Sequence, residues 1–143
     1  MGGIMTNNYY MEQYKVDIRK LYAIYMLQGY SHDKSAEKVI EKTVGFLGLN
    51  KKRNLKEIRR FHRVWDVGLQ KLHEMARGSN ILTNKQSLDM YLVHGFPIEV
   101  TRIICNHYGY SVSVNGFWQA KDEFDNSSLE YAKSAGKGYA EYE

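Results

Sequence analysis

Lys51, Lys52, Arg53, Lys56, Arg59, Arg60 and Arg63 place seven cations in thirteen residues, against one acid, Glu57. Ammonium and guanidinium groups at that density are the chemistry of anion recognition, with nucleic-acid phosphate the usual target. Their spacing sharpens the point. On a helical wheel of about 100° per residue, Arg59, Arg60 and Arg63 fall within about 60° of Lys56. Ile58, Phe61 and Trp65 fall on the far side. One face is therefore apolar and the opposite face almost wholly cationic. The cations also crowd the N-terminal half of the predicted helix, where the helix dipole disfavours positive charge. That placement points to an external anion as the counter-charge.

The other chemistry-bearing residues point to no reaction. His32, His62, His73, His94 and His107 include no His-x-x-x-His or Glu-x-x-His pair for a metal. His62 and His73 flank the apolar stripe of the basic helix, where packed or half-exposed roles are usual. Cys105 stands two residues before His107, on a different helix face, and reads as an ordinary buried thiol. Being the single cysteine, it excludes an internal disulfide and fits a reducing cytoplasm. No phosphate-binding glycine loop and no nucleophile elbow is present. The expectation is a non-enzyme without cofactor or metal.

The elements that position the basic stripe are helices for most of the chain. Apolar residues recur at three- and four-residue intervals over 8–28, 34–47 and 54–77, then over shorter segments at 83–94 and 98–108. Asn54 with Glu57, and Thr83 with Gln86, each have the spacing of a capping box. Val100, Ile103, Ile104 and His107 are expected to face inward on the fifth helix. From Tyr110 the period changes to alternation, and Asn115-Gly116 separates two β-prone runs, a hairpin signal. The predicted class is mainly α, about five helices with one C-terminal β-hairpin. Residues 1–121 form one helical domain. Residues 122–143, where apolar residues thin out and acids outnumber bases six to two, form an acidic, weakly structured tail.

From residue 54 onward the order is long helix, short helix, turn, helix, hairpin. That order resembles a winged helix-turn-helix over 54–121, a fold motif rather than a named family. Gly95 supplies the turn and Phe96 plugs the helix junction. The resemblance implies base reading by Arg102 and Asn106 on the second helix and groove contact by Asn115 at the hairpin tip. A pairing with Gly109 in the turn is set aside, because Asn115-Gly116 would then fall inside the second helix.

No apolar run approaches a membrane span, so the predicted location is cytoplasmic and no membrane partner is expected. The expected function is a small nucleic-acid-binding protein, a DNA-binding regulator before an RNA binder. Lys51, Lys52, Arg53, Lys56, Arg59, Arg60 and Arg63 would contact phosphates. The alternative is a protein-interaction module, an inhibitor or adaptor of phage or mobile-element type, which docks the same helix on an acidic protein surface. A tyrosine-rich first helix leaves a homodimer open.

Overall fold

In the computed structural model the described backbone covers residues 2–45 and 47–134, and the described side chains 13–45 and 47–128. The helices are α1 (Gly2–Leu27), α2 (His32–Val44), α3 (Lys51–Ala76), α4 (Asn84–Leu92), α5 (Ile98–Tyr108) and α6 (Val114–Ser134). Among the described residues there is no strand, only an isolated parallel bridge between Ile81 and Ser111.

The hairpin expected at 110–119 is therefore replaced by a sixth helix, and the winged helix-turn-helix falls with it. The physical reason lies in the first turn of α6. The Ser113 hydroxyl accepts from the Gly116 amide at 2.9 Å, and the Ser113 carbonyl accepts from the Phe117 amide at 3.0 Å. These bonds cap a helix rather than turn a hairpin. Val114, Phe117 and Ala120, at helical spacing, pack on Leu88 of α4 and Ile98 of α5. Gly116 marks a close approach. A Cβ there would lie 2.0 Å from the Asn84 amide oxygen, where α4 and α6 begin side by side. Asn115-Gly116 therefore lies inside a helix, which removes the reason for setting the Gly109 pairing aside. Gly109, left-handed at φ 78°, closes α5 before α6, while α4 and α5 pack across the Gly95 turn. α6 runs into the acidic segment as far as Ser134, and residues 135–143 lie outside the described residues.

The apolar stripe of α3 enters the core as its period requires. Ile58, Phe61, Trp65, Leu72 and Ala76 are buried against Ile18, Tyr22 and Ala23 of α1. Phe96 plugs the junction, stacked on Trp65 with centroids 5.8 Å apart and edge-on to Phe61 at 5.1 Å. Gly68 makes the room, since a Cβ there would sit 2.3 Å from the Phe96 ring. Among the fifth-helix residues expected inside, Val100 and Ile104 are buried, Ile103 is half-buried and His107 is exposed.

One predicted capping box forms and one does not. Thr83 and Gln86 exchange bonds of 3.1 and 2.9 Å. α3 instead starts three residues before Asn54, behind Asn50 at φ 66°. Asn54 is buried and donates to the Thr43 hydroxyl at 3.1 Å, which fastens α3 to α2.

Candidate functional site

The cationic stripe stands on the exposed face of α3. Lys51, Lys52, Arg53, Lys56, Arg59, Arg60 and Arg63 are all exposed. Glu57, the acid that interrupts them in sequence, turns inward and is only 1% exposed. Its Oε2 lies 2.6 Å from Arg19 Nε of α1. Arg19 also donates to the Gly95 carbonyl and lies over the Phe61 ring, 5.0 Å from its centroid. The buried carboxylate thus has its own counter-ion inside the fold, and the outer stripe is free of acid from 51 to 63.

The seven cations divide into two kinds. Arg53 stacks over the Tyr14 ring at 3.9 Å and donates to Asn54 Oδ1 at 3.2 Å, bracing α3 against α1. Arg60 lies 3.9 Å from the second Glu57 oxygen. Lys51, Lys52, Lys56, Arg59 and Arg63 have no acidic partner among the described residues. Asn50 provides no side-chain cap to the first turn of α3, so the positive helix end adds to the same field. From residue 51 to 63 the stripe is about 18 Å long at 1.5 Å per residue. Two apolar side chains, Leu47 and Leu49, stand exposed just before it, at 69% and 63%.

The other predicted contacts lie elsewhere. Arg102 and Asn106 are exposed on α5 and line a hollow of 330 Å³ with Lys20, Glu99 and Trp118. Asn115 is exposed in the first turn of α6, so its role at a hairpin tip is withdrawn. α5 packs on α1, α4 and α6, whereas α3 packs on α1, α2 and α4. The ten residues therefore form a stripe of seven on α3 and a separate group on α5 and α6.

Sequence reasoning missed a third feature beside the stripe. The buried Tyr22 hydroxyl of α1 lies 3.1 Å from His32 Nδ1 of α2 and 2.9 Å from His62 Nδ1 of α3. The two imidazoles stack with centroids 3.6 Å apart and planes 21° from parallel. Burial, with Asp66 adding to it, pushes the Tyr22 phenol up to about 12. Burial also holds the His32 imidazole below its ordinary value, and His62 and Arg59 reinforce this while Asp33 opposes it. The spacing of His62, three residues after Arg59, is a legible signal, because it puts both on one side of the helix. The partnership with His32 and Tyr22 joins three helices and leaves no local trace.

Cys105 is buried and its thiol is pushed up to about 11 by that burial. Among the described residues no three His, Cys, Asp or Glu side chains gather to hold a metal ion, and no helix is long and apolar enough to cross a membrane. No family model and no curated protein matches the chain.

Proposed function

We propose that this protein binds nucleic acid, duplex DNA first, by laying the exposed face of α3 along the phosphate backbone. The observation that carries the reading is the inward turn of Glu57 onto Arg19. It leaves Lys51, Lys52, Lys56, Arg59 and Arg63 as exposed cations with no acidic partner among the described residues. Lys52, Lys56, Arg59 and Arg63 share one face, with Lys51 at the end of the helix, and a row of phosphates relieves their mutual repulsion while releasing condensed counter-ions. Contacts of this kind position a protein on a duplex without reading its sequence. Arg102, Asn106 and Asn115 lie on other elements and are not needed for it.

The test is binding to a random duplex across a salt series. Five phosphate contacts give a slope of about −4 to −5 in log affinity against log salt. The exposed Leu47 and Leu49 beside Lys51 favour one second reading, an acidic protein surface with an apolar centre. Binding to an acidic protein would depend on both leucines. Binding to a duplex would survive Leu47→Ser with Leu49→Ser. A flat salt response, or no duplex binding at low salt, overturns the nucleic-acid reading.

A further inference from the structure

The His32–Tyr22–His62 cluster sets a proton count that its geometry dictates. One hydroxyl carries one proton, so Tyr22 donates to only one of the two Nδ1 atoms and accepts from the other. The ring that accepts must hold its own proton on Nε2. The ring that donates through Nδ1 has, when neutral, a lone pair on Nε2. Neither Nε2 has a protein partner among the described residues. The cluster can therefore take up one proton, on that lone pair, with every internal bond intact. A second proton would have to displace the bond donated by Tyr22 and would stack two cations 3.6 Å apart.

We propose that this pair is a proton-gated phosphate contact. On taking up a single proton it presents two Nε2–H donors side by side, next to Arg59, to one phosphate of the nucleic acid that α3 engages. The proposal rests on the nucleic-acid reading for its ligand, and the site itself rests on the cluster. Arg59 lies one turn before His62 on α3, and its charge reaches His32. The charged and titratable groups that bear on the cluster are Tyr22 from α1, Asp33 from α2, and Arg59 and Asp66 from α3. Asp33 favours a proton on His32, while Arg59 opposes it. In the free protein, burial and the arginine keep His32 short of its proton. A bound phosphate neutralises the arginine and reverses that balance, so binding takes up one proton. Affinity then rises as pH falls, by up to about tenfold for each unit the bound anion lifts the pair.

Two measurements test it. Sulfate, which does not titrate near neutrality, is added at constant ionic strength while the ring signals of His32 and His62 are titrated by NMR. The expected result is one upward-shifted protonation in the pair, absent in Arg59→Gln. Duplex affinity is then compared at pH 8 and pH 6. The wild type tightens several-fold, His62→Gln and His32→Gln flatten the ratio, and His107→Gln, exposed on α5, keeps it. A His62→Gln protein that retains the full pH response overturns the proposal, as does sulfate that leaves both rings unmoved. If no duplex binds at any pH, the functional reading fails, and the sulfate titration alone decides whether the pair takes an anion.

Discussion

Replacing Arg19 with alanine removes the partner of a carboxylate that cannot reach water. Glu57 is 1% exposed, and among the described residues Arg19 Nε is its one hydrogen-bonded partner, at 2.6 Å, with the exposed Arg60 at 3.9 Å from the other oxygen. Removing one member of a buried ion pair costs about 3–5 kcal/mol, because the other charge stays desolvated. The same guanidinium covers the Phe61 ring and satisfies the Gly95 carbonyl, so the upper part of that range is expected. A chain of 143 residues is stable by about 7–21 kcal/mol at the usual 0.05–0.15 kcal/mol per residue. The single change therefore removes between about a seventh and about seven tenths of the total. Urea unfolding reads it as a lower midpoint at constant m-value. The paired substitution Arg19→Met with Glu57→Leu should recover most of the loss, since apolar groups of similar size leave no charge behind. A loss below about 1 kcal/mol for Arg19→Ala, the size of a surface pair, would refute the burial argument.

Two glycines should respond in opposite directions. Gly68→Ala gains about 1 kcal/mol of helix propensity but drives a methyl into the buried Phe96 ring, for a net loss of about 1–2 kcal/mol by urea unfolding. Gly116→Ala meets only the side chain of exposed Asn84, which can swing away, so stability should hold or rise by up to about 1 kcal/mol. Cys105, with its thiol near 11, should react with a disulfide reagent at pH 8 only as fast as the protein opens, and rapid labelling of native protein would contradict its burial. The unfolded His32 imidazole takes its proton near 6.5 and the folded one only at lower pH, so stability is full above that value and declines as pH falls through it. The thermal midpoint should drop less between pH 7.5 and 5.5 in His32→Gln than in the wild type.

The basic helix was legible because its two signals agree. The apolar period of Ile58, Phe61, Trp65 and Leu72 puts those residues inside, and the same period puts the cations outside. The start of α3 was not legible. Asn54 and Glu57 have capping-box spacing, but both are spent on contacts with α2 and α1 that no local pattern reveals. The α6 error has a similar cause. Asn115-Gly116 favours a tight turn locally, while Val114, Phe117 and Ala120 carry a helical period that only the presence of α4 and α5 makes decisive. The glycine read as turn chemistry is instead room for Asn84. Likewise, the histidines were read by their spacing along the chain, and their meeting at Tyr22 depends on how three helices pack.

The most direct test of the α3 stripe is the duplex-binding salt slope of Arg59→Glu with Arg63→Glu, set beside Arg102→Glu and the wild type. Residues 59 and 63 are exposed and opposite the core, so the double variant should fold as the wild type does by circular dichroism. Losing two of five phosphate contacts should take the slope from about −4.5 to about −2.7 or shallower and lower affinity at every salt concentration. Arg102→Glu, on α5, should leave the slope close to the wild-type value. An unchanged slope and affinity in the double variant would contradict the assignment of this face to phosphate binding.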